Sequence, residues 1–244
     1  MTLPVFLAEA VAGASVGSSL LLDGDEGRHA ATVKRIRVGE QVVLTDGAGT
    51  TAVCAVTEAA KSSLVLTVEE TAFAERALPV VTVVQAIPKG DRGELAVEVL
   101  TEVDVDRIVP WAASRSVALW KGERVAKGLA KWRATAREAT KQARRSWLPE
   151  VAELASTADV AELIAAADLA VVLHEAADLP LSDLDLRGVA SIVVVVGPEG
   201  GISDEELTVF GGAHVVKLGS SVLRTSTAGV AAAAALLSRT ERWR

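Results

Sequence analysis

From Pro79 onward, short apolar runs alternate with stretches of helical period. Val80 to Ala86 reads as an apolar strand, and Gly90 to Val103 places Leu95, Val99 and Val103 on one helical face. Ile108 to Ala112 is a second strand, and Glu123 to Trp147 is a long basic helix or helix pair. A helix over Ala158 to Ala167 and a strand over Leu169 to Leu173 follow. Ile192 to Val196 is a continuous β-branched run, the pattern of a strand buried on both faces. Ser203 with Glu206 three residues later spells a capping box, the start of a helix. Val215, Val216 and Leu218 make another short strand, and a small-residue helix starts near Ser226. Strands alternating with helices predict a parallel sheet covered on both faces, an α/β fold.

The chain before Pro79 has a different rhythm. Pro4 to Leu7, Gln41 to Thr45, Thr51 to Glu58 and Ser63 to Glu69 are short β-rich runs, with Asp46-Gly47-Ala48-Gly49 as a hairpin loop. Glu26 to Ile36 reads as a short helix or turn, and Glu70 to Leu78 as a linker. This predicts a small barrel or sandwich over residues 1–76 and an α/β domain over residues 77–244.

Composition narrows the class. Half the 244 residues are hydrophobic, with 3% aromatic, no tyrosine and one cysteine, so cores are aliphatic. Cys54, the single cysteine, excludes an internal disulfide and any multi-cysteine metal site, and its place in an alternating run predicts a buried inert thiol. The histidines at 29, 174 and 214 lack metal-ligand spacing, so no metal is expected. The N-terminus shows no signal-peptide pattern and no apolar run approaches the ~18 residues of a membrane span. The expectation is a cytoplasmic protein with no membrane partner. The formal charge is −7, yet between Lys121 and Arg145 nine lysines and arginines stand against two acids. Arg133, Arg137, Lys141 and Arg144 or Arg145 recur there at helical spacing, a stripe suited to phosphates. A solvated helix face is the other reading.

Two loops carry the candidate chemistry. Gly197-Pro198-Glu199-Gly200-Gly201 follows the Ile192–Val196 run, where glycines let backbone N–H groups approach a ligand or simply let the chain turn. The spacing is neither a dinucleotide fingerprint nor a Walker loop. Leu218-Gly219-Ser220-Ser221-Val222-Leu223-Arg224 leads into the last helix, and Arg224 is either a ligand cation or a surface ion-pair partner. Both loops stand at strand carboxyl ends, where open α/β sheets bind ligands, as does His174-Glu175 after Leu173.

The pairing of VGPEGG at 196–201 with LGSSVLRTSTA at 218–228 resembles the ribosomal RNA small-subunit methyltransferase E family of the SPOUT superfamily. Further motifs extend the resemblance over nearly the whole chain: Arg28-His29, Lys34-Arg35-Ile36-Arg37-Val38-Gly39, Lys89-Gly90-Asp91-Arg92, Thr101-Glu102, Ile108-Val109-Pro110, Lys131-Trp132, Glu138-Ala139 and Gln142-Ala143-Arg144-Arg145. Two departures stand out: Ser226 occupies a position where the family usually has Glu, and Glu102-Val103-Asp104 replaces its Glu-Leu-Gly.

The resemblance implies an N-terminal PUA-like β-barrel and a C-terminal trefoil-knot parallel-sheet domain, acting as a homodimer on 16S rRNA or the small ribosomal subunit. The activity it implies is transfer of a methyl group from S-adenosylmethionine to N3 of a uridine. The cofactor residues it implies are Leu173, His174, Glu175, Gly197, Pro198, Glu199, Gly200, Gly201, Leu218, Gly219, Ser220, Ser221, Val222 and Leu223. Arg224 and Glu199 are the candidates for chemistry. For RNA the candidates are Arg28, His29, Lys34, Arg35, Arg37, Lys89, Arg92, Arg133, Arg137, Lys141, Gln142, Arg144 and Arg145. A SPOUT enzyme acting on another RNA and a non-catalytic RNA-binding assembly factor are the alternatives.

Overall fold

The computed structural model describes residues 2–243. The chain forms two compact units: one runs to Arg76 and takes in Thr140–Leu148, the other comprises Ala77–Ala139 and the chain from Pro149 on.

The first unit is a five-stranded sheet of β1 (Val5–Leu7), β2 (Ser19–Leu22), β3 (Gln41–Thr45), β4 (Thr50–Ala59) and β5 (Leu64–Phe73), in the order β1-β3-β4-β5-β2. Alternation sends Val42, Leu44, Cys54, Val56, Leu64, Leu66 and Val68 into one core. β2 was not expected, because only Leu22 of its four residues is buried. β5 runs to Phe73, so the expected linker from Glu70 is strand at its start: Glu70 to Phe73 pair across the sheet with Val53 to Thr50. Between β2 and β3 lie α1 (Gly24–Arg28) and one widened π turn at His29–Val33, placed where a helix or turn was expected. Burial pushes the Cys54 thiol up to about 11, with Glu69 nearby adding to the shift.

Thr140–Leu148 belongs to this unit because its side chains are anchored there. Trp147 donates its indole N–H to the Ala74 carbonyl at 2.8 Å and meets Phe73 edge to face. Gly49 accommodates that ring, since a Cβ on it would lie 2.8 Å from Trp147 Cζ2. Lys141 is buried against the Glu26 carboxylate at 2.9 Å.

The second unit holds seven strands in the order β10-β12-β9-β11-β6-β7-β8, all paired in parallel. In chain order these are β6 (Val80–Ala86), β7 (Arg107–Trp111), β8 (Glu150–Val151), β9 (Leu169–Leu173), β10 (Leu179–Pro180), β11 (Ser191–Val196) and β12 (His214–Lys217). The helices are α2 (Arg92–Glu102), α3 (Glu123–Ala143), α4 (Thr157–Ala166), α5 (Asp204–Val209) and α6 (Thr225–Leu237). Ile192–Val196 is buried throughout, as its β-branched run predicts. α6 packs against β11, β6 and α2, and its small residues permit the approach. A Cβ on Gly229 would sit 3.2–3.4 Å from Val196, Val83 and Leu100. The chain after α6 is pinned by Arg242, whose side chain is 3% exposed. It donates to the Asp104 and Asp106 carboxylates at 2.8 and 2.6 Å and to the Pro79 carbonyl at 2.8 Å.

α3 stops at Ala143, four residues short of the expected end at Trp147. Arg144 takes φ +58, its N–H donates to Lys141 O, and the Arg145 N–H donates to Thr140 O. That bond pair is a Schellman stop, built here with arginine in the left-handed position that glycine usually fills.

Candidate active site

Parallel pairing brings the carboxyl ends of β12, β9, β11 and β6 to one edge of the sheet. The register is tight: Val216 stands opposite Leu173, Val172 opposite Val195, and Val196 opposite Gln85. The chain leaving these strands lines a cavity of about 350 Å³, within the size range of small-molecule sites.

Its walls are Leu173, His174 and Glu175 after β9, Gly197, Pro198, Glu199 and Gly201 after β11, and Leu218 through Leu223 after β12. Arg224, Thr225 and Ala228 come from the start of α6, and Arg92 from the start of α2. Every residue expected at the cofactor lies on this surface except Gly200. Gly200 stands behind the wall, where a Cβ would meet the Arg115 carbonyl oxygen at 2.7 Å.

Each loop has a local reason for its shape. A Cβ on Gly197 would lie 2.6 Å from Ile202 Cγ1, so only glycine lets the chain fold over that buried isoleucine. Gly201 takes φ +74 and closes a turn to Pro198 O at 2.9 Å. Ser203 caps α5 and Glu206 reaches back to the Ser203 N–H, the expected capping box. The other Glu206 oxygen accepts the Ser114 N–H at 2.7 Å, which holds the loop carrying Arg115 against Gly200. His174 ties β9 to β12 through its N–H and Val216 O at 2.9 Å, and its Nδ1 accepts the Ala176 N–H at 3.2 Å. On the β6 side, the buried Gln85 donates from Nε2 to Ala86 O at 3.0 Å and Thr225 O at 3.2 Å. That link fixes the residue following Arg224, and no spacing in the sequence pointed to it.

The charges on the cavity are unevenly partnered. Glu199 accepts the Lys89 N–H at 3.2 Å through one carboxylate oxygen. The guanidinium groups of Arg92 and Arg224 make no hydrogen bond or ion pair with any described residue. Ser226, at the position of the usual family carboxylate, is buried in the first turn of α6 rather than on the cavity, and its hydroxyl has no partner among the described residues.

Residues 75–237 match the model of an RNA methyltransferase domain, and residues 22–69 match that of an RNA methyltransferase PUA domain. The ribosomal RNA small subunit methyltransferase E of Mycobacterium bovis is 46% identical over 233 residues, covering 93% of this chain and 89% of its own. The chain belongs to the ribosomal RNA small subunit methyltransferase E family. The Bacillus subtilis member is 30% identical over 233 residues, covering 90% of each chain. Among solved structures, the Neisseria gonorrhoeae member bound to S-adenosylmethionine is 27% identical. It superposes with a TM-score of 0.87 over 97% of this chain and 98% of its own. A putative methyltransferase from Legionella pneumophila in complex with the same cofactor is 26% identical, with a TM-score of 0.88 over 98% of each chain.

The residues expected to face RNA in this family member fall into four groups. Arg28, Lys34, Arg35, Arg37, Lys89, Arg137, Gln142 and Arg144 are exposed, and Arg35 takes φ +56 in the turn after the π segment. Arg133 and His29 have protein partners: Arg133 donates to Val151 O and Glu153, and His29 lies edge-on to Phe6. Lys141 and Arg145 correct the expectation. Lys141 is buried on Glu26 and Arg145 is 8% exposed, because the stop after Ala143 ends the helical stripe that would have carried Arg145 outward. Arg92 was grouped with the RNA contacts, and the structure sets it on the cavity.

Proposed function

We propose that this protein methylates N3 of a uridine in the 16S rRNA of the small ribosomal subunit, using S-adenosylmethionine. The observation that carries the reading is the convergence of three strand-end loops and two unpaired arginines on one cavity. The chain's relative from Neisseria gonorrhoeae has S-adenosylmethionine bound.

The residues suit this cofactor. The loops offer Gly197, which has no room for a side chain, Gly201 and Gly219 at positive φ, apolar Leu173, Leu218 and Val222 for an adenine face, and Glu175, Ser220 and Ser221 as polar groups. S-adenosylmethionine, when bound, supplies a methyl group on a sulfonium that departs as a neutral thioether. The remaining chemistry falls to the chain. Uridine N3 is an imide nitrogen that must lose its proton as it attacks. Negative charge then develops over O2, N3 and O4. Arg224, free of protein partners among the described residues, stabilises that charge. The Glu199 oxygen not engaged by Lys89 accepts the proton, directly or through water. The loops hold the base in line, which is where most of the rate gain in such a transfer arises. The exposed arginines and lysines hold rRNA phosphates, and the target base is unpaired or flipped, since pairing hides N3.

The protein works in the cytoplasm as a homodimer, with residues 1–76 as an RNA-binding PUA-like domain and residues 77–244 as the methyltransferase domain. Calorimetric titration with S-adenosylmethionine should show saturable binding. Mass mapping of 16S rRNA from a strain lacking the gene should show the loss of one N3-methyluridine. Loss of a methyl group from a different RNA instead would reassign the substrate, and absence of cofactor binding would remove the enzymatic reading.

A further inference from the structure

Arg92 is the first residue of α2 and Arg224 is the N-cap of α6, two helices packed against each other over β6 and β11. Both line the same cavity, and neither guanidinium has a partner among the described residues. The acids flanking Arg92 in the chain are already engaged. Lys131 takes Glu94 at 2.9 Å and Asp91 at 3.7 Å, and Glu199 takes the Lys89 N–H. Arg92 is half-buried, so its charge is only partly relieved by water. Two unpaired guanidinium groups on one small cavity, which Lys217 also lines, call for acceptor atoms in the ligand.

We infer that Arg92 is a second catalytic residue that determines base specificity, with Arg92 and Arg224 each donating to one of the two carbonyl oxygens flanking uracil N3. The inference rests on the function proposed above. Deprotonated uracil spreads its charge symmetrically over O2 and O4, on either side of the attacking nitrogen. A guanidinium has donors only, so a pair of them donates to O2 and O4 and leaves N3 clear for the methyl group. Cytosine presents an amino donor in place of O4, and one of the two arginines would then face N–H groups with no acceptor. The same pair therefore accelerates the reaction and excludes the nearest competing base.

The test uses the full-length protein, S-adenosylmethionine and small subunits, or their 16S rRNA, from a strain lacking the gene. Arg92→Met should lower kcat by roughly 10²–10³, the cost of removing one donor from a developing oxyanion. The KM for RNA and the cofactor dissociation constant should stay within about threefold of the unaltered protein. The pH profile supplies the readout that a structural role would not move. With one cation gone, kcat should keep rising with pH over roughly two to three further units before levelling, the same free energy expressed as a pKa shift. Arg92→Lys keeps the charge but not the fork, and should show a smaller displacement of the profile. It carries the test if the methionine variant does not fold. A loss confined to KM that disappears at low salt would make Arg92 a phosphate contact, and weakened calorimetric binding of cofactor would make it a cofactor contact. Either result, or an unchanged kcat, overturns the inference. Failure of the unaltered protein to methylate uridine N3 would instead strike the parent reading, which separates the two.

Discussion

Gly200→Ala tests whether the cofactor wall is shaped from behind. The added Cβ would stand 2.7 Å from the Arg115 carbonyl oxygen and 3.1 Å from Arg115 Cβ. Ordinary C···O contacts lie near ~3.3 Å or beyond, so roughly half an ångström must be found. The Arg115 side cannot readily yield. Its loop is held by the Ser114 N–H on Glu206 at 2.7 Å and the Ala112 N–H on Ala155 O at 3.0 Å. The Gly197–Gly201 loop must therefore shift, at about 1–3 kcal/mol for an overpacked site of this kind. If the free protein relaxes by moving the loop, cofactor binding must restore it. The dissociation constant for S-adenosylmethionine should then rise about 5- to 150-fold. If the loop stays in place, the strain is retained and melting should fall by about 2–12 °C. Calorimetric titration and a melting curve on the same preparation read both. Gly212→Ala is the control, because its nearest neighbour would be Ile164 Cγ2 at an ordinary 3.6 Å. A Gly200→Ala protein that binds cofactor within twofold of the unaltered chain and melts no lower would refute the reasoning.

Arg224→Ala should retain cofactor affinity and lose roughly 10²–10³ in turnover, and single-turnover rates unchanged from the unaltered protein would discard its role. Arg242→Met leaves Asp106, 2% exposed, without its cation, and should cost about 3–5 kcal/mol, read as a melting temperature about 6–20 °C lower. Arg137→Glu with Arg144→Glu should weaken rRNA binding and flatten its dependence on salt in filter-binding titrations. Arg145→Glu, at a buried position, should instead lower the melting temperature. Cys54, whose thiol burial raises to about 11, should resist alkylation at pH 8 until the protein is unfolded, as intact-mass measurement can show. Because the folded pKa lies above the unfolded one, Cys54 contributes a loss of stability as pH rises from about 9 to about 11, absent below that window.

What the sequence determined about this protein is what local geometry can encode. A short β-rich run marked β3, and short apolar runs marked β6 and β9, each with its observed ends. The Ser203–Glu206 capping box lies within one turn, and its two side chains bond as its spacing requires. The glycine loops stood out because strand, turn and cap follow one another along the chain. Tertiary structure decided the rest, because it depends on which distant segments become neighbours. β6 pairs with β11 across more than a hundred residues, and only that pairing sets Arg92 on the cavity with Arg224. Gly200 is required by the Arg115 carbonyl, far away in the chain, and the Gln85 amide locks the start of α6 from a strand whose pattern reads simply as apolar. The i, i+4 spacing of Arg137, Lys141 and Arg145 described one exposed stripe. The left-handed stop at Arg144 and the Glu26 carboxylate turned two of those cations inward. Periodicity assigns a face to each residue, but only long-range packing settles whether that face meets solvent, the core or the cavity.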